Sequence, residues 1–138
     1  MAIKFFKYQA TGNDFLIIDN RLHIFNKNNT KLIAKLCDRR FGIGADGLIL
    51  LEPNAVYDFE MIYYNADGKQ SSMCGNGGRC IVALAKRLEM IQDTTNFIAI
   101  DGLHKATIDG IQVSLKMRDV VKISKVNEVY LTLEVDDS

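Results

Sequence analysis

Cys74 stands directly before Gly75, Asn76, Gly77 and Gly78 in the stretch "SSMCGNGGRC", residues 71–80. Glycines this dense raise the entropy cost of ordering the backbone, so the fold or a ligand must need them. If a helix opens near Asn76 or Gly77, Cys74 sits at its N-terminal mouth. Free backbone N–H groups and the positive end of the helix dipole gather there. That setting lowers a thiol pKa and enriches the thiolate. The same N–H groups can hold a carboxylate or a phosphate, and the glycines let such a ligand come close to the backbone. A thiolate beside a bound carboxylate suits nucleophilic attack, or removal of a proton next to the carboxylate. A glycine-rich turn with an incidental cysteine fits the spacing equally well.

Three asparagines add to the chemical reading. Asn13, in "ATGNDF", and Asn65, in "YNADG", fall at strand ends, and Asn76 lies in the glycine cluster. An asparagine offers a donor and an acceptor without charge, which suits a zwitterion carrying ammonium and carboxylate. Each is also an ordinary turn residue.

Other candidates carry less. "GIGADG", residues 42–47, matches the dinucleotide pattern G-x-G-x-x-G, but a helix precedes it and a strand follows, the reverse of a binding fingerprint. It reads as a tight connection into a strand. Cys74 and Cys80 lack zinc-ligand spacing, His23 and His104 stand alone, and no metal set is expected. Cys37 and Cys80 fall on apolar helical faces and read as small core residues. "DRR", residues 38–40, reads as a charged helix end that could fix the following glycine loop.

Behind these residues lies a simple layout. Residues 3–9 and 15–19 are aromatic and β-branched, and read as strands around a turn at residues 10–14. Residues 30–39, with Thr30 as N-cap, carry the apolar spacing of a helix at Leu32, Ile33, Leu36 and Cys37. Residues 48–52 and 57–64 read as strands joined by a turn at Pro53-Asn54. A second helix is expected over about residues 77–90, with an apolar stripe at Cys80, Ile81, Leu84 and Leu88. Four further strand-like stretches follow, with hairpin turns at Asp101-Gly102 and Asp109-Gly110. The helices look separated by hairpins and not by regular βαβ units. The expected fold is therefore α+β: a single domain over residues 1–138, with a mainly antiparallel sheet curled around a central helix.

Composition narrows the class. The chain has 138 residues, 48% apolar and 25% charged, as an ordinary globular domain has. Lys+Arg and Asp+Glu are both 17, so no basic excess points to nucleic acid or an anionic membrane. No apolar run approaches membrane-spanning length, and the first residues lack a signal-peptide core. The expected compartment is the cytoplasm. Three cysteines leave one over in any pairing scheme, which argues against a disulfide framework.

"TGNDFLIID", "CDRRFGIGADGLILLE" and "YYNADGKQSSMCGNGGRC" together resemble the N-terminal half of the diaminopimelate epimerases, in family order over roughly the first ninety residues. The resemblance implies two pseudo-symmetric halves, each a sheet curled around a helix, with an amino-acid substrate between them. It implies interconversion of LL- and meso-diaminopimelate for lysine and peptidoglycan precursors, with no pyridoxal phosphate, other cofactor or metal. One cysteine thiolate removes the α-proton from one face, and a second thiol returns a proton to the other. On that pattern Cys74 is the first-half acid/base residue. Asn13 and Asn65 bind substrate, and the backbone amides of Gly75 and Asn76 hold the reacting carboxylate. Some members carry glutamine where Gly47 stands, so no contact is assigned to Gly47.

No cysteine follows residue 90, and helical spacing turns Cys80 away from Cys74. The expectation is half of an epimerase, truncated or split, inactive alone, and able to self-associate, as a homodimer for instance, through exposed cleft surface. Two alternatives stay open. One is a related isomerase of another amino acid, and the other is a non-catalytic binding or interaction module.

Overall fold

The computed structural model describes residues 2–117 and 120–136 of the chain. Its elements are β1 (Ala2–Ala10), β2 (Asn13–Asp19), α1 (Thr30–Cys37), β3 (Gly47–Glu52), β4 (Phe59–Asn65), α2 (Gly75–Arg87), β5 (Thr94–Ala99), β6 (Gly102–Asp109), β7 (Gln112–Met117) and β8 (Val120–Asp136). The strands form a closed barrel in chain order, with β8 returning to pair with β1. Helix α2 runs inside it.

Most neighbouring strands are antiparallel, as the strand-rich sequence predicts. The exceptions are β2 with β3 and β4 with β5, which are parallel. Each parallel pair brackets one helix, so both helices do lie in βαβ crossovers. Only a long connection can return a chain to the same barrel end, and a helix supplies it. Apolar patterning reports which faces are buried, not strand direction.

Burial follows from this enclosure. In β2, Phe15 and Ile17 face α2, while Leu16 and Ile18 face the outer layer under α1. Both faces are covered, so β2 and β3 read as continuous apolar runs. The outer layer takes Ile33, Leu36 and Cys37 from α1. That helix is capped by Asn29, one residue before the expected Thr30; the Asn29 side chain accepts from the Leu32 N–H at 3.1 Å.

Every residue from Gly77 to Ala85 is buried, not just one stripe. A helix surrounded by strands has no solvent face, so small residues must stand wherever the wall is close. A Cβ at Gly77 would lie 3.0 Å from the Ile49 side chain, and one at Gly78 would lie 2.4 Å from Met73 and 2.8 Å from Leu115. These two glycines therefore fit the helix into the barrel.

The hairpin turns fall where the sequence places them, with Gly102 and Gly110 at positive φ. Strand β8 begins at Val120, and its first residues pair with β7 before the rest pairs with β1.

Candidate active site

Helix α2 opens at Gly75, two residues before the sequence-based expectation, and Cys74 is its N-cap residue. Its backbone is extended, with φ −112° and ψ 124°, and its side chain makes no capping hydrogen bond. The thiol is half-buried against the barrel core. The first hydrogen bond into the helix runs from the Gly78 N–H to the Cys74 carbonyl at 2.8 Å. The N–H groups of Gly75, Asn76 and Gly77 precede it and so have no partner within the helix. Cys74 thus sits among donors that, within the described residues, have no hydrogen-bond partner, at the positive end of the helix.

Beside this mouth the Asn76 amide donates to the Asn13 side-chain carbonyl at 3.0 Å. Asn13 stands at the start of β2, just after the tight turn of Thr11 and Gly12, both at positive φ. Its own amide donates to an Asp46 carboxylate oxygen at 2.6 Å. Asn76 Oδ1 accepts from the Arg79 guanidinium. The Thr11 hydroxyl lies 3.1 Å from the same oxygen and 2.8 Å from the Ala10 carbonyl, and its one proton serves one of them at a time. The fold therefore brings Cys74, Gly75, Asn76 and Asn13 together at the mouth of α2. Asn65 ends β4 on the same rim, in a row of pairing with Gly47 and Phe15. Among the described residues no hydrogen bond joins its side chain to the other two asparagines.

Charge frames the site. Arg39 donates to Asp14 at 2.7 Å and to Asp46 at 2.9 Å, and Lys7 pairs with Asp14 at 3.2 Å. Burial alone would raise the Asp14 pKa, but Arg39 and Lys7 outweigh it and hold the carboxyl well below its ordinary range. The Asp38 carboxylate accepts the N–H groups of Arg40 and Phe41, both at 2.8 Å. The "DRR" segment does fix the glycine loop, which connects α1 to β3 as predicted. Arg79 is 6% exposed, and its Nε and Nη1 lack hydrogen-bond partners. Burial pulls its pKa down, against the opposing influence of Cys80 and Cys74.

The other cysteines are separate. Cys80 is fully buried in the barrel, and burial pushes its pKa to about 12. Cys37 ends α1 on its buried face, where burial pushes it to about 11. His104 is buried, 2.7 Å from Asp101 and stacked on Phe97. No group of three or more His, Cys, Asp or Glu among the described residues could hold a metal. No described helix is long and apolar enough to cross a membrane.

Sequence reasoning missed Thr11, Asp46, Arg79 and Tyr63. The Tyr63 ring lies over Gly47 and edge-on to Phe15, at 5.9 Å between centroids. Its pKa is raised by burial first, then by the nearby Cys74 and Asp46. Only the i, i+3 spacing of Asn76 and Arg79 was a local signal.

A barrel closed around a helix is the half-domain of the epimerase and racemase folds. A hydroxyproline epimerase from Agrobacterium vitis, solved with bound trans-4-hydroxy-L-proline, is similar with TM-score 0.64 at 15% identity, over 84% of this chain and 41% of that one. A methylitaconate-delta-isomerase matches with TM-score 0.71 at 12% identity, over 99% and 97%. These likenesses concern the fold.

Sequence narrows the group. The family model for diaminopimelate epimerase matches residues 5–122. The Flavobacterium psychrophilum diaminopimelate epimerase is 64% identical over 123 residues, 88% of this chain and 48% of that protein. The Campylobacter lari enzyme is 39% identical over 126 residues, 91% and 49%. The chain belongs to the diaminopimelate epimerase family, and it spans about half the length of these two relatives.

Proposed function

We propose that this chain supplies the first-half acid/base site of a two-domain diaminopimelate epimerase. The observation that carries the reading is Cys74 as N-cap of α2, with free N–H groups of the helix mouth and the Asn13–Asn76 pair beside it. An amino-acid α-proton is weakly acidic. Its removal needs aligned dipoles that stabilise negative charge spreading onto the carboxylate. The N–H groups of Gly75 and Asn76 supply such dipoles. Bound there, the substrate α-carbon lies within reach of the Cys74 sulfur.

In one direction the Cys74 thiolate takes the α-proton, and the electron pair of the C–H bond moves onto the carbanion. A thiol on the opposite face then donates its proton, which inverts the centre. In the other direction Cys74 is the donor. That second thiol and the groups gripping the distal end of the substrate belong to the other half of the family pattern. Asn65 joins the binding set from the rim. The chemistry asks for no cofactor, and a cytoplasmic setting, which keeps thiols reduced, suits it.

The test is the natural full-length protein incubated with LL-diaminopimelate in D2O, followed by chiral separation. The expected product is the meso isomer with deuterium at the inverted carbon. Residues 1–138 alone are expected to turn over negligibly, since one base cannot serve both faces. Absence of interconversion by the full-length protein, or full activity in its Cys74→Ser variant, overturns the reading.

A further inference from the structure

The hydrogen bonds at the mouth of α2 run in one direction, and their two ends bear opposite charges. At one end Asp46 Oδ2 can only accept, and it takes the Asn13 amide N–H at 2.6 Å. That leaves Asn13 Oδ1 facing Asn76, where it accepts the Asn76 amide N–H at 3.0 Å. Asn76 Oδ1 is thereby turned to the other end, where Arg79 can only donate. Flipping Asn13 would set its oxygen against the Asp46 carboxylate. Flipping Asn76 would set its NH2 group against the guanidinium. Each reversal loses a charge-assisted hydrogen bond and makes a like-polarity contact.

We propose that Asp46 and Arg79 are positioning residues that lock the amide orientation of Asn13 and Asn76, so that the pair offers donors to an anionic group held at the α2 N-terminus. Each side-chain NH2 uses one hydrogen within the chain of bonds and keeps one free. Asn76 Oδ1 is engaged by Arg79 and faces the Thr11 hydroxyl, 3.1 Å away. Asn13 Oδ1 retains one lone pair. Among the described residues two side-chain N–H groups are thus left open, beside the backbone N–H groups that the first turn leaves unpaired; the open acceptor sites are one on Asn13 Oδ1 and, when Thr11 turns to the Ala10 carbonyl, one on Asn76 Oδ1.

The two ends are anchored differently. Asp46 is fixed from outside by Arg39 at 2.9 Å. Arg79 is fixed by burial, and no carboxylate among the described residues pairs with it. A buried cation without a counter-ion is costly. Here it faces a site that would receive negative charge on binding, and Asn76 is the group between them.

This inference rests on the proposed epimerase reading, so its test separates the two. In the natural full-length protein labelled with 15N at asparagine, Asp46→Asn is expected to shift the side-chain amide resonances of both Asn13 and Asn76. The Asn76 shift must pass through Asn13, and this readout needs no activity. In epimerisation assays Asp46→Asn and Arg79→Met are each expected to lower kcat/KM about tenfold to a hundredfold, the order expected for a small misplacement of positioning groups. Arg79→Lys, which keeps a charged donor, should recover part of the loss. If Arg79→Met fails to fold, Asp46→Asn at the exposed end still decides the matter.

A shift confined to Asn13, kinetic constants within twofold of the parent, or equal loss in Arg79→Lys and Arg79→Met would each overturn the proposal. An unlabelled parent enzyme that does not epimerise at all would instead overturn the epimerase reading and leave the resonance test standing.

Discussion

The Asn76 side chain bonds that of Asn13 across 3.0 Å, between residues 63 apart in sequence. It ties the first turn of the buried helix to the start of β2. Cys74, two residues before Asn76, is thereby fixed against the rim of the barrel.

Cys74→Ser should separate stability from activity. The cysteine makes no capping bond, whereas a serine oxygen accepts from the first-turn N–H groups. Folding stability is expected to hold or to rise by about 0.5–1 kcal/mol. Epimerisation by the full-length protein is expected to fall by about 10²–10⁴-fold, the usual contribution of a general acid/base. Thermal melts beside chiral assays check both.

Thiol accessibility should sort the three cysteines. Native protein at pH 8 is expected to take up iodoacetamide at Cys74, and unfolded protein at all three. Mass spectrometry of peptides reads this directly. Burial raises Cys37 to about 11 and Cys80 to about 12, from an ordinary value of 9.0. Their folded pKa values exceed the unfolded ones, so their contribution to stability is fully present below pH 9 and is lost as pH rises through 11 and 12.

Asp14 governs the acid limb. Its carboxyl is held well below the ordinary 3.8 despite partial burial, because Arg39 and Lys7 face it. A depressed folded pKa gives stability that is present above the unfolded value and is lost as pH falls below it. Urea unfolding from pH 7 to pH 2 should therefore show declining stability below about pH 4. Asp14→Asn should lower stability at pH 7 and flatten that decline.

Gly47→Ala is expected to destabilise. A Cβ there would meet the Tyr63 ring at 2.5 Å and the Tyr64 backbone oxygen at 2.7 Å. The ring can turn, but the paired backbone of β4 cannot withdraw. A loss of about 1–3 kcal/mol in urea denaturation is the expected size for such overpacking. Tyr63→Ala in the same chain should recover only the part due to the ring.

Much of this molecule is written locally. The strands and both helices follow from short-range apolar periodicity. The position of Cys74 at a helix mouth follows from a cysteine placed before glycines at a helix start. Opposing thiol environments at Cys74 and Cys80 follow from helical spacing alone. Gly77 and Gly78 show where local reading stops. Their density suggested access for a ligand, but the nearness of Ile49, Met73 and Leu115 gives them a packing role.

By itself, the sequence determined the residue types, the elements and the helix mouth, because each depends on neighbours a few positions away. Tertiary structure alone decided that β8 closes the barrel onto β1, that both helices lie in parallel crossovers, and that Asp46, Asn13, Asn76 and Arg79 form one directed chain. These relations depend on strand register and closure between distant segments. Hydrophobic patterning constrains which face is buried, but it does not state which strand lies alongside.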